Sequence, residues 1–148
     1  MTQSRLYDLT NNMQNSVSIG GSDESAGTVN GASVDTADIE GPVQALVNVG
    51  EVSGSPSATS VTFSIQESDD GTTFTDVATT NTTSEITAAD TSAVIQAHHD
   101  KRYVRVKAVV AFTAGSSPSA IITGNVVGAK RAPGSNRSGI SSTHPTNV

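Results

Sequence analysis

Residues 60–77 read SVTFSIQESDDGTTFTDV, and this stretch decides the fold class. Val61, Phe63 and Ile65 alternate with small polar residues, so successive side chains point to opposite faces of an extended strand. The DDG sequence at 69–71 is typical of a hairpin turn, because glycine readily adopts the positive φ angles that such turns need. The stretch therefore predicts a β-hairpin with one buried face and one solvated face.

The same alternation recurs on both sides of this hairpin. Residues 43–49 alternate valine and alanine with polar residues and place Leu46 on the opposite face, and residues 101–112 form the longest predicted strand. Short strands joined by Gly/Pro turns predict an all-β, antiparallel β-sandwich, either jelly-roll or immunoglobulin-like in its strand order. The predicted core includes Phe63, Ile65, Val104, Val106 and Val110.

Three segments follow from the distribution of these strand signals. Residues 1–30 are polar and rich in Gly, Ser and Asn, and we expect an extended N-terminal arm that becomes ordered against a partner. Residues 31–129 hold the strand signals and form the predicted sandwich domain. Residues 130–148 lack a buried periodicity and contain two prolines, which predicts an extended C-terminal tail.

Composition excludes several classes of protein. The 148 residues include no Cys and no Trp, which argues against a disulfide scaffold, a thiol enzyme and a cysteine-based zinc site. No apolar run approaches the roughly 20 residues of a membrane span. The formal net charge is −6, which argues against nucleic acid as the main partner of the chain.

The charges are divided along the chain. Residues 1–100 carry all 14 acidic side chains and one basic side chain, whereas residues 101–148 carry the other seven basic side chains. One interpretation is strand pairing, in which the basic residues at 101–107 face acidic neighbours such as Glu67. The other is a basic C-terminal segment that docks on an acidic protein surface.

The candidate chemical motifs do not amount to a catalytic or metal site. Adjacent residues of a strand point to opposite faces, so His98 and His99 would not both reach one metal ion, and a turn is the better interpretation. The sequence lacks a G-x-S-x-G nucleophile motif and a phosphate-binding loop. We therefore expect no enzyme activity, no catalytic residues, no cofactor and no bound metal.

Three segments carry a resemblance to a known class of proteins. Residues 61–77, the KRYVRV sequence at 101–106 and the GAKRAP sequence at 128–133 resemble small virion proteins of tailed bacteriophages, over about residues 32–134. The resemblance implies a virion β-sandwich of the head, and capsid decoration or cement proteins are the class it favours. None of these motifs is catalytic.

The combined expectation is a capsid cement protein on the surface of the virion, assembled in the host cytoplasm. Its partners would be the major capsid protein and further copies of itself, most simply as a homotrimer, with no membrane involved. The alternatives are a tail, connector or head fibre protein, or a carbohydrate-binding module used in adsorption. The predicted ionic contacts to the partner are Arg5, Lys130, Arg131 and Arg137.

Overall fold

The computed structural model describes residues 12–78 and 84–131, which form ten β-strands. The strands are β1 (Met13–Glu24), β2 (Gly27–Asn30), β3 (Val34–Asp35), β4 (Ile39–Ser53), β5 (Ala58–Ser68), β6 (Thr75–Asp76), β7 (Ser84–Ile86), β8 (Thr91–Ala97), β9 (Tyr103–Thr113) and β10 (Ser119–Lys130). The four-stranded sheet has the order β1-β10-β4-β8. The six-stranded sheet has the order β2-β9-β5-β6, with β3 also paired to β9 and β7 to β5.

The pairing of these strands identifies the fold as a jelly roll. β2 and β3 lie end to end along β9, and β6 and β7 along β5, so each pair is one interrupted strand. The strands then form four antiparallel pairs: β1 with β10, β2/β3 with β9, β4 with β8, and β5 with β6/β7. Pairing of β10 with β4 joins two of these pairs into the four-stranded sheet, and pairing of β9 with β5 joins the other two into the six-stranded sheet. The predicted all-β sandwich is confirmed, and its strand order is that of a jelly roll.

The core consists of the inward-facing residues of both sheets and is built mainly from valine and isoleucine. Phe63, Ile65, Val104, Val106 and Val110 are at most 2% exposed, as the alternation of polar and apolar residues predicts. Leu46 is 44% exposed on the outer face of β4, which is also as predicted. Branched aliphatic side chains suit a pleated surface, and here they fill most of the space between the sheets. Phe63 is the aromatic residue of this core within the described residues.

The turn after β5 also has the predicted chemistry. The carboxylate of Asp70 accepts hydrogen bonds from the backbone N–H groups of Thr73 and Thr72, both at 2.8 Å, and from the Ser68 hydroxyl at 2.8 Å. These bonds hold the pKa of Asp70 well below its usual range. Gly71 has a φ of 72°, which the turn requires and which glycine tolerates without strain.

The prediction of an extended arm over residues 1–30 is wrong for residues 13–30. These residues form β1 and β2, and Ile19 is buried in the core at 3% exposure. The sandwich therefore begins at Met13 instead of residue 31 and extends to Lys130. β1 has register shifts between Val17 and Ile19 and between Gly20 and Ser22, which interrupt the alternation that would reveal a strand. Residues 1–11, and residues 132–148 of the predicted tail, lie outside the described residues.

Ser18, at the first register shift of β1, connects the two sheets. Its buried hydroxyl donates a hydrogen bond to the carbonyl of Ala32 and accepts one from the N–H of Val106, both at 2.9 Å. The N–H of Gly31 donates to the carbonyl of Val106 at 2.8 Å. These bonds fill the gap between β2 and β3, where β9 has no ladder partner on that side. A β-carbon at Gly31 would collide with the Ser18 hydroxyl, so the contact requires glycine.

We expect Ser18→Ala to lower the free energy of unfolding by about 1–3 kcal/mol, because it leaves the buried N–H of Val106 without an acceptor. Chemical denaturation monitored by circular dichroism measures this difference. The control is Ser22→Ala on the same strand, where the side chain is exposed and the expected change is within about 0.5 kcal/mol. Equal stability of Ser18→Ala and the wild type would contradict the proposed role of Ser18 between the sheets.

Candidate functional site

A cleft of about 540 Å³ lies at the end of the sandwich where β4 and β9 begin and β10 ends. We call it the terminal cleft. Its walls come from the turn before β4, the loop that precedes β9, and the residue that follows β10. The residues used below are Ile39, Glu40, His99, Asp100, Lys101, Arg102 and Arg131.

Of the four predicted contact residues, Arg131 lines this cleft and Lys130 precedes it in the chain. Lys130 is the exposed last residue of β10 and pairs in register with Ile39. Arg131 lines the cleft, and its backbone N–H donates to the carbonyl of Asp38 at 2.7 Å, which fixes where the chain leaves β10. The other two, Arg5 and Arg137, lie outside the described residues. The fold thus places Arg131 in the same cleft as Lys101 and Arg102.

A two-point ion pair holds one wall of the cleft. Arg102 donates from Nε to Oδ1 of Asp35 at 3.1 Å and from Nη2 to Oδ2 at 2.8 Å. The Arg102 guanidinium, together with the backbone N–H of Ala37, holds the pKa of Asp35 below its ordinary value. Thr36 adds a hydrogen bond from its hydroxyl to the carbonyl of Arg102 at 2.6 Å. The turn before β4 is therefore attached to the start of β9 by both side chains and backbone.

The opposite wall is organised by Glu67 at the end of β5. Its Oε2 accepts hydrogen bonds from the backbone N–H groups of Asp100 at 2.8 Å and Lys101 at 3.3 Å. The expected pairing of Glu67 with a basic side chain is wrong, because its carboxylate binds the backbone of the loop instead. The side chain of Lys101 lies 3.6 Å from the carboxylate of Asp69.

The remaining cations of the 101–107 stretch are also paired on the face of the sheet. Lys107 lies 3.3 Å from the carboxylate of Asp76. Arg105 donates to the side-chain oxygen of Gln66 at 2.9 Å, and its guanidinium lies 4.2 Å from the ring centroid of Phe74. The interpretation of this stretch as a strand face paired with its neighbours is confirmed, and the partners are three aspartates and a glutamine.

His99 supplies the most unusual group in the cleft. The predicted turn at 98–100 is confirmed, since these residues join β8 to β9 without regular structure. Nδ1 of His99 lies 2.9 Å from the carbonyl of Lys101, so this nitrogen is the donor and Nε2 is left as an acceptor. Nε2 is buried and has no hydrogen-bond partner among the described residues.

The cleft is lined by charged side chains of both signs. Lys101, Arg102 and Arg131 supply cationic groups, and Glu40 and Asp100 supply carboxylates. Across residues 12–78 and 84–131, no group of three or more His, Cys, Asp or Glu side chains is placed to hold a metal ion. Within the same ranges, no helix is long and apolar enough to cross a membrane.

Comparison with protein-family models finds one family that matches the chain. The model of the Bbp16 family matches residues 22–122, from the end of β1 into β10, which is more than half of the sequence. This chain belongs to the Bbp16 family. Bbp16 is a phage-associated family name, which supports the resemblance to phage proteins at that level. No curated protein matches the chain.

We expect the Asp35–Arg102 pair to make the stability of the Bbp16-family chain depend on acid pH. The pKa of Asp35 is lowered in the folded state from 3.8, so its ionised form stabilises the fold above that value. This contribution is lost as the pH falls below about 4, through the lower folded pKa. Asp35→Asn is therefore expected to show a shallower fall in Tm than the wild type between about pH 4 and pH 2.

Thermal melts followed by circular dichroism across this range test the expectation. The control is Asp69→Asn, whose side chain is 80% exposed and makes a single 3.6 Å ion pair; it should keep a slope close to that of the wild type. Parallel curves for Asp35→Asn and the wild type would show that the pair does not contribute.

Proposed function

We propose that this protein is a capsid cement or decoration protein, which binds the outer face of a phage head shell and stabilises it. The supporting observation is a jelly roll of a phage-associated family with both ends of its described chain at one end of the sandwich. Met13 pairs with Ala129, and Arg131 follows in the terminal cleft. The first and last strands of the described chain therefore meet on the side of the cleft.

The terminal cleft is the proposed contact with the major capsid protein. Lys130 and Arg131 are exposed, and no ion pair involving either is found within the described part of the chain. Single surface ion pairs contribute only about 0–1 kcal/mol each. Many such contacts can nevertheless stabilise a shell. Once a copy has bound one shell subunit, its contact with a second subunit is favoured by a high effective concentration, and the two subunits are thereby linked.

The rest of the proposal follows from this role. The protein acts at the surface of the virion capsid after assembly in the host cytoplasm, and it acts by binding, without a cofactor or a catalytic step. Self-association as a homotrimer would place three terminal clefts around one axis, so that weak ionic contacts act together. Light scattering on the full chain tests this part: a mass of three 15.0-kDa chains supports the trimer, and a monomer at all concentrations contradicts it.

We expect Arg131→Glu to weaken binding to purified heads that lack the protein, because it places a negative charge where the partner surface is acidic. The measurement is the bound fraction after sedimentation, and the heat resistance of the decorated heads. Lys107→Glu is the matched control, because it makes the same charge change on the outer face of the six-stranded sheet. The expected loss of affinity is roughly tenfold for Arg131→Glu and less than about threefold for Lys107→Glu.

Two results would count against this function. If the wild-type protein does not bind heads, or if bound protein leaves their heat resistance unchanged, the cement role is wrong. A family name associated with phages also fits a tail, connector or head fibre protein. Copy number by mass spectrometry of purified particles separates these roles, since a cement protein approaches the number of shell subunits and the others are present in only a few copies.

A further inference from the structure

The four edges of the two sheets differ in how they are protected against pairing with another chain. An edge strand presents unpaired N–H and C=O groups, and natural proteins usually block it with bulges, charges, breaks or very short strands. β1 has two register shifts and ends in Asp23 and Glu24. Both features discourage the addition of a strand along this edge.

The edges of the six-stranded sheet are protected by interruption. On one side, residues 31–33 separate β2 from β3, so no continuous ladder is presented. On the other side, β6 and β7 have two and three residues, and they carry the charged side chains of Asp76 and Glu85. An added strand would meet a break or a charge on either side.

β8 has none of these protections. Its sequence TSAVIQA, residues 91–97, contains no charge, no glycine and no proline. It pairs with residues 43–49 of β4 without a register shift, so it is regular along its whole length. β4 is its only ladder partner within the described residues, and β7 lies close to β8 without pairing to it. Its outer edge can therefore accept a strand.

The outer face beside this edge is apolar at its centre. Val94 of β8 pairs with Leu46 of β4, Leu46 with Asn125 of β10, and Asn125 with Val17 of β1. Val17, Leu46 and Val94 are 60%, 44% and 59% exposed, respectively. One row across the sheet thus leaves three aliphatic side chains in solvent, and an added strand would cover Val94 at the open end of this row.

We propose that the free edge of β8 accepts an extended, uncharged segment of the shell protein as an additional β-strand. This inference rests on the proposed cement function and adds a second contact to it. Main-chain hydrogen bonds provide the attachment, and an aliphatic residue opposite Val94 provides the side-chain contact. The terminal cleft lies directly beyond the end of this edge, because β8 ends at Ala97 and His99 lines the cleft.

The small area of the β8 edge favours a partner that also binds this protein at another site. It argues against a second copy of this chain, which would be held by the edge alone. Seven residues span about 24 Å, and with a depth of about 10 Å they cover on the order of 240 Å². This is well below the roughly 800 Å² per partner that stable complexes bury. A segment of a protein already bound at the adjacent cleft needs no such area, because its effective concentration at β8 is high.

Hydrogen exchange of the full chain, free and bound to purified heads that lack it, tests this proposal. A new ladder should slow the exchange of those backbone amides in residues 91–97 that point away from β4 by at least about tenfold on binding, because hydrogen-bonded amides exchange only when they open. Residues 13–24 of β1 provide an internal control and should not change. Binding without a change at residues 91–97 would overturn the added strand while leaving the cement function in place.

Slow exchange at residues 91–97 that appears in the free protein as its concentration rises would show that two copies pair through β8, which would also overturn the proposal. Absence of any binding by the wild type would instead contradict the cement function itself. These outcomes are separable because the first two concern only the amides of β8.

A pair of variants distinguishes the edge from the face. Val94→Lys places a charge at the edge, and Leu46→Lys places the same charge in the same row one strand further in. We expect Val94→Lys to weaken binding to heads roughly tenfold and Leu46→Lys less than about threefold. Both positions are exposed, so both variants should keep the wild-type melting curve. Equal losses would show that the face docks as a whole, and would overturn the edge proposal.

Discussion

The jelly roll depends on the hydroxyl of Ser18, which satisfies the backbone where the outer partner of β9 is interrupted. β9 lies between β5 and the interrupted strand β2/β3, so near Val106 its ladder is complete on one side only. A buried N–H without an acceptor costs free energy comparable to a lost hydrogen bond. The bulge in β1 turns Ser18 inward to supply that acceptor, and the same contact joins the four-stranded sheet to the six-stranded sheet.

β10 also approaches its neighbours closely at two glycines. A β-carbon at Gly124 would lie 3.1 Å from the side chain of Val106, and one at Gly128 would lie 2.6 Å from the side chain of Ile39. Glycine on β10 therefore permits the close approach of residues from the opposite side of the core and from the start of β4. Near the terminal cleft, this close packing fixes Ile39, and with it the turn that carries Asp35 and Thr36.

The parts of the fold that could be predicted from the sequence are those determined by residues close together in the chain. The alternation in β5 and the turn at 69–71 reveal the hairpin, because strand faces and turn chemistry are encoded within a few residues. β1 could not be recognised, because its bulges and glycines interrupt the alternation, and its stability comes from pairing with β10. The jelly-roll order is likewise a property of long-range pairs, which a single sequence does not display.

The terminal cleft shows the same division between local and long-range information. Arg131 stands out in the sequence as a cation, but its position in one cleft with Lys101 and Arg102 depends on the return of β10 to the start of β4. The acidic and basic halves of the chain are joined largely by internal pairs: Asp35 with Arg102, Asp69 with Lys101, and Asp76 with Lys107.

These pairs neutralise the basic stretch at the start of β9, which limits the cations that remain available to a partner. Lys130 and Arg131 take part in none of them, and both lie where the described chain ends. The charge asymmetry of the sequence thus has two physical consequences. Lys101, Arg102 and Lys107 pair with aspartates within the fold, and Lys130 and Arg131 lie at the end of β10, on the side of the cleft and of the open edge of β8. A partner that is attracted by these cations is thereby brought to the one regular, uncharged edge of the described sheets.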